Sequence, residues 1–123
     1  MEHADLAALA RAWLACFERQ DADALVALYA EGARHYSPRL RVQRPESGGC
    51  IEGRPALREW WADAFRRLPT LRYVETRITA QGAGDGRVFL EYTRHVAGEP
   101  DLPVAEVFEV RRGLILESRV YHG

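Results

Sequence analysis

The sequence predicts an α+β fold in which helices pack on one face of a curved sheet. Three observations lead there. Apolar residues recur at helical spacing in the first third of the chain and again over residues 54–67. From Leu71 onward, runs rich in β-branched and aromatic residues are punctuated by Gly and Pro. The order is helix, helix, short strand, helix, then four antiparallel strands, and such segregation is the pattern of α+β domains.

The first helix spans residues 3–19. Leu6, Leu9, Trp13, Leu14 and Phe17 form its apolar stripe, and Asp5 stands in the first turn, where the helix dipole favours a carboxylate. Asp21 reads as the N-cap of a second helix over 22–30, with Gly32 as its left-handed C-terminal residue. Residues 33–37 form a short strand that Pro38 ends. If Ala33 faces inward, His35 and Ser37 do too.

Residues 38–49 read as a loop with Arg39, Arg41 and Arg44, either functional or mobile. The ordinary reading of such a charge run is a solvated surface. The alternative is a cover over a pocket mouth that favours an acidic ligand. Residues 50–52 suit a short strand, and 54–67 a third helix opened by Pro55 and closed by Pro69. Its buried side carries Leu57, Trp60, Trp61, Ala64, Phe65 and Leu68. A strand over 71–81 leads through the glycines of 82–86 into three strands, turned at Gly98-Glu99-Pro100-Asp101 and at Arg111-Arg112-Gly113.

The 123 residues suit a single domain, 1–123, with one real core. The net charge of −1 offers nothing to a polyanion, so no nucleic acid is expected. No apolar run approaches the about 18 residues that a membrane helix needs. The acidic N-terminus lacks the basic leader of a secretory signal, and Cys16 and Cys50 suit free thiols, so a cytoplasmic location is expected. All seventeen basic residues are Arg, which reads as the codon bias of a GC-rich bacterial genome. Without Lys, Schiff-base catalysis is excluded.

Three stretches carry a family resemblance: DADALVALYAEGARHYSP, IEGRPALREWW and FEVRRGLILESRVYHG. Their order and spacing resemble the nuclear transport factor 2-like superfamily, which includes ketosteroid isomerases and SnoaL-like polyketide cyclases. The resemblance implies a cone-shaped sheet wrapped around three N-terminal helices and enclosing a largely apolar pocket. It also implies a homodimer formed through the outer sheet face. The same fold hosts catalysts and pure binders.

At the isomerase positions this chain departs from the pattern. The Asp base is replaced by Ser37, the phenolic donor aligns with Trp13, and only the third carboxyl position, Glu106, keeps its chemical type. Steroid isomerisation is therefore not expected. By alternation, Glu106, Phe108 and Val110 share a face. The resemblance places Phe89, Glu91, Thr93 and His95 on the inner face of the preceding strand, and Val120 and His122 on that of the last.

These placements give a candidate set. His35 and Glu106 are the catalytic candidates, and Trp13, Ser37, Trp60, Phe89, Glu91, His95, Phe108 and His122 the ligand-binding ones. His35 is either a general base or a structural histidine. Glu106 is either a carboxyl with a raised pKa or half of a buried ion pair with Arg119 or Arg94. Ser37 is more often a turn residue before proline than a nucleophile, and His95 and His122 are more often exposed than catalytic. No compact metal motif such as HExxH is present, and no cofactor or metal is expected.

Two functions follow as expectations. One is a small enzyme that binds an apolar or aromatic carbonyl compound, with His35 or Glu106 moving a proton beside the carbonyl while the other holds the enolate oxygen. The other is a non-catalytic dimeric ligand-binding or accessory domain. A cavity of a few hundred Å³ containing both residues favours the first; a cone filled by Trp13, Trp60 and Phe108 favours the second.

Overall fold

The computed structural model describes residues 5–122, with side chains through Tyr121. Among these residues the chain forms α1 (Leu6–Arg19), α2 (Ala22–Val26), β1 (Tyr29–Tyr36), α3 (Pro38–Gln43), a 3-10 turn (Pro45–Ser47), β2 (Cys50–Glu52), α4 (Arg54–Arg67), β3 (Arg72–Ala83), β4 (Asp85–His95), β5 (Leu102–Arg111) and β6 (Leu114–His122). The α+β class and the curved sheet are as the sequence predicts. The six strands are ordered β2-β1-β6-β5-β4-β3. All pairs are antiparallel except β1 with β6, which run parallel.

Helix α1 begins one residue after Asp5, whose carboxylate accepts from the backbone N–H groups of Ala7 and Ala8. Asp5 is thus the N-cap rather than a first-turn residue, and residues 3 and 4 lie outside the described part. The helix ends at Gln20 with a left-handed φ of 53°. Leu6, Leu9, Trp13 and Phe17 are buried, as the stripe predicts.

The second helix is much shorter than its apolar pattern suggests. Asp21 caps it as expected, but it stops at Val26 because the chain joins the sheet at Tyr29. There Tyr29 pairs with Ile115, and the Arg54 guanidinium donates to the Tyr29 carbonyl at 2.9 and 2.7 Å. Gly32 is therefore not a helix terminator. It lies in β1, in the irregular part between Tyr29 and Arg34 where the register shifts.

The stretch 38–49 is not a loop. Ser37 caps α3 by accepting from the Arg39 N–H at 3.2 Å, Pro38 opens the helix, and a 3-10 turn follows. A fourth α-helix thus joins the three expected. The glycine-rich turn before β4 is tighter than 82–86, since Gly82 and Gly86 already pair across the ladder. Gly82 has φ +98°, and a Cβ there would overlap the Asp85 carbonyl oxygen. The β5–β6 hairpin turns on Arg112 (φ 53°) and Gly113 (φ 74°), two left-handed residues that match the twist of the strands they join.

One core fills the space between helices and sheet. Trp13 sits at its centre, with ring centroids 4.3 Å from Phe17, 5.3 Å from Phe108 and 5.7 Å from Tyr92. Each such buried large apolar side chain contributes about 1.5–3 kcal/mol through removal from water.

Candidate functional site

Sheet register brings the polar side chains together. Parallel pairing of β1 with β6 sets His35 beside Ser118. Antiparallel pairing of β5 with β6 sets Ser118 opposite Phe108, and Glu106 is two residues along on the same face. His35 is 3% exposed, Glu106 1% and Ser118 0%. All the alternate residues of β5 from Val104 to Val110 are buried, as alternation predicts.

A directed chain of hydrogen bonds runs through this cluster. The Trp13 indole N–H donates to the Tyr29 hydroxyl at 3.2 Å, and Tyr29 donates to Ser118 Oγ at 2.9 Å. Ser118 Oγ lies 2.7 Å from Nδ1 of His35. An indole can only donate, so the direction is fixed from its start. Ser118, already an acceptor, gives its own proton to Nδ1, the acceptor left to it among the described residues. This direction of the chain assigns the His35 proton to Nε2. Burial lowers the His35 pKa to about 3, so the ring is neutral at ordinary pH.

Glu106 closes the cluster. Its Oε1 accepts from the Tyr92 hydroxyl at 2.9 Å, whereas Oε2 has no hydrogen-bond partner among the described residues. Burial raises its pKa to about 8, and the Tyr92 bond pulls only partly in the other direction. Oε2 stands 4.0 Å from His35 Nδ1, the outer limit of an ion pair. Desolvation of both groups opposes that pair, so at neutral pH the carboxylic acid faces a neutral imidazole. The buried ion pair weighed for Glu106 does not form. Arg94 pairs instead with Glu99 at 2.7 Å, and Arg119 reaches Glu117 and stacks over Tyr36.

A cavity of about 70 Å³ adjoins these groups. His35, Glu106, Trp13, Ser37, Trp60 and Val120 all line it, with Tyr73, Tyr92, Arg39 and Arg94. Of its lining residues, Gln43 of α3 and Arg67 of α4 are exposed, and Arg67 donates to Gln43 at 3.5 Å. The volume is well below the about 300–1,000 Å³ of typical ligand pockets. Phe108, expected to bind ligand, instead packs beneath Trp13 and is absent from the lining.

The facing expected for β4 is reversed. Leu90 pairs directly with Glu106, and directly opposed residues share a face. Inward Glu106 therefore turns Val88, Leu90, Tyr92 and Arg94 inward and Phe89, Glu91, Thr93 and His95 outward. Phe89 is 38% exposed, Glu91 lies 3.9 Å from Arg77, and His95 bonds Asp101 at 2.7 Å on the surface. The His122 side chain lies outside the described residues. Alternation carried the signal: Val88, Leu90 and Tyr92 are the apolar set of that strand, and Glu91, Thr93 and His95 the polar one.

Three members of this buried cluster escaped the sequence reading. Ser118 shares the face of Val120, so alternation points to it. Tyr29 and Tyr73 look like core aromatics in sequence, and only the fold shows the hydroxyl of Tyr29 linking Trp13 to Ser118. Tyr73 stacks on Tyr92 at 4.2 Å, and burial, with the Glu106 charge second, pushes its pKa up to about 12.

A family model described as a SnoaL-like domain matches residues 10–118. Among solved structures, a SnoaL-like protein of unknown function from Burkholderia thailandensis is 22% identical, with a TM-score of 0.81 and 99% of each chain covered. A candidate polyketide cyclase from Sinorhizobium meliloti is 16% identical, with a TM-score of 0.74, covering 92% of this chain and 93% of that one. A hypothetical protein with a ketosteroid isomerase-like fold from Catenulispora acidiphila, in complex with trimethylamine, is 24% identical, with a TM-score of 0.69, covering 92% of this chain and 83% of that one. Among curated proteins none matches the chain. At these identities the structural likeness concerns the fold alone.

Proposed function

The chain belongs to the SnoaL-like domain family, and from that premise we propose that it binds a small carbonyl compound in its cavity and moves a proton on the carbon beside the carbonyl. The observation that carries this reading is Glu106: buried, with a pKa near 8, one oxygen unpaired, and a neutral histidine 4.0 Å away.

The roles follow from the protonation states. A carboxyl with a pKa near 8 is ionised in roughly one molecule in ten at pH 7, and as an anion it is a far stronger base than an ordinary carboxylate. Glu106 takes the proton from the α-carbon. The oxygen that gains charge accepts a hydrogen bond from Nε2–H of His35, which Ser118 keeps in that tautomer. Glu106 then returns the proton to another carbon or to the same one. An unpaired buried carboxyl oxygen costs about 1–3 kcal/mol, which a ligand hydrogen bond recovers.

The size of the cavity favours a second reading, a non-catalytic dimeric ligand-binding or accessory domain. About 70 Å³ admits only a few heavy atoms unless the mouth opens. Dimerisation through the outer sheet face belongs to both readings. Phe89 and Tyr121, 38% and 52% exposed on that face, support it.

Hydrogen–deuterium exchange at the α-carbons of pentan-2-one, followed by proton NMR in heavy water, separates the two. The enzyme reading expects the protein to accelerate exchange about a hundredfold or more and Glu106→Gln to abolish the effect. Exchange at the protein-free rate would leave the binding domain as the function.

A further inference from the structure

The open end of the cavity holds a charge arrangement that proton transfer does not use. Arg94 is 4% exposed and points inward from β4, and Arg39 reaches the same space from α3. Arg94 donates to Glu99 at 2.7 Å through a single nitrogen. The Arg39 side chain makes no hydrogen bond and no ion pair among the described residues. Among the described residues the Glu99 carboxylate, itself partly exposed, bonds Arg94 alone, and Arg39 feels it only at longer range. Burial first, and the Arg94 charge second, make Arg39 easier to deprotonate than a free arginine, which is what two desolvated like charges in one space produce. The other two arginines of that stretch do something else. Arg41 runs over Gly49, and Arg44 lies 5.3 Å from the Trp60 ring centroid.

We propose that Arg39 and Arg94 form a carboxylate-binding subsite at the cavity mouth, so that the ligand is a short organic acid bearing a carbonyl group. This rests on the proton-transfer reading for the carbonyl end only. Charge sets the polarity: the arginine end of the cavity carries half-buried Arg39, and Arg94 bonded to the partly exposed Glu99, and the neutral acid Glu106, 1% exposed, lies deeper. Glu106 pairs with Leu90, four residues before Arg94 on β4, so about 13 Å of strand separates the two backbone positions, and the Glu106 carboxyl reaches back toward Tyr92 between them. Both side chains reach into the same cavity, and a carboxylate and a carbonyl a few bonds apart, as in 4-oxopentanoate, with a hydrogen bond at each end, bridge from one to the other. A guanidinium fork meets a carboxylate with two parallel hydrogen bonds, and Arg39 has its donors available. The incoming carboxylate would also relieve the Arg39–Arg94 repulsion.

Calorimetric titration with 4-oxopentanoate, pentanoate and the neutral pentan-2-one tests the subsite. Both acids are expected to bind about tenfold or more tighter than the ketone, because a hydrogen bond to a charged group is stronger than one to a neutral group. Arg39→Gln should erase that preference, and Arg39→Lys should keep much of it. Raising the salt concentration should weaken the acids and not the ketone. Equal binding of acid and ketone by the unaltered protein, or an acid preference that survives Arg39→Gln, would overturn the proposal. The proton-transfer reading is judged separately. If pentanoate binds in an Arg39-dependent way while pentan-2-one shows no exchange, the subsite stands and the chemistry fails.

Discussion

Oε2 of Glu106 lies 4.0 Å from Nδ1 of His35, and neither group is charged at neutral pH. Two groups that would pair as ions in water are held apart in protonation by the same burial. Their unfolded values lie near 6.5 for His35 and 4.5 for Glu106; the folded values are about 3 and about 8.

These shifts predict an unusual stability profile. Between pH 3 and 6.5 the unfolded chain binds a proton at residue 35 that the folded one refuses, so this site adds stability as pH rises. Between pH 4.5 and 8 the folded chain holds a proton at Glu106 that the unfolded one releases, so this site removes stability as pH rises. The two cancel from 4.5 to 6.5. Stability should therefore climb to a plateau and fall between pH 6.5 and 8 by about 2 kcal/mol. Tyr92, Tyr73, His35 and Arg94 line the same cavity as Glu106. Urea unfolding at each pH checks this. Glu106→Gln should flatten the limb above pH 6.5, and an unchanged limb would refute the assignment.

Ser118 should govern the His35 tautomer. Nitrogen NMR of the imidazole is expected to show a protonated Nε2 in the native protein. Ser118→Ala removes both the donor to Nδ1 and the acceptor for Tyr29. A mixed tautomer population and a loss of about 1–3 kcal/mol should follow. A protonated Nδ1 in the native protein would reverse the hydrogen-bond chain.

The outer sheet face should carry the dimer contact. Phe89→Glu places a charge where an apolar side chain is 38% exposed, with its neighbours on the cavity side untouched. Light scattering coupled to gel filtration should give a dimer for the native chain and a monomer for the variant, with unchanged circular dichroism. A native monomer at micromolar concentration would remove dimerisation from the function.

Much of this protein is legible without its structure. The helix stripe from Leu6 to Phe17, the Pro55 start of α4, the turn within Arg111-Arg112-Gly113 and the inward set Glu106, Phe108, Val110 are local patterns. Periods of 3.6 and 2, with the chemistry of Gly and Pro, determine them within a few residues of chain. His35 and Glu106 were identifiable as inward polar residues by the same rule.

What tertiary structure decided is everything that joins distant residues. The helical pattern of 22–30 yields to sheet pairing at Tyr29, because a strand ladder and the Arg54 bonds outweigh local propensity there. The facing of β4 follows from its pairing with β5: a slip of one residue moves a whole side-chain set to the opposite face. The Ser118–His35 contact, between residues 83 apart in sequence, depends on the parallel pairing of β1 with β6. The protonation of Glu106 depends on how completely other elements exclude water from it. Sequence carries the residue types and their periods; desolvation, register and the meeting of Arg39 and Arg94 in one cavity exist only once the chain has closed on itself.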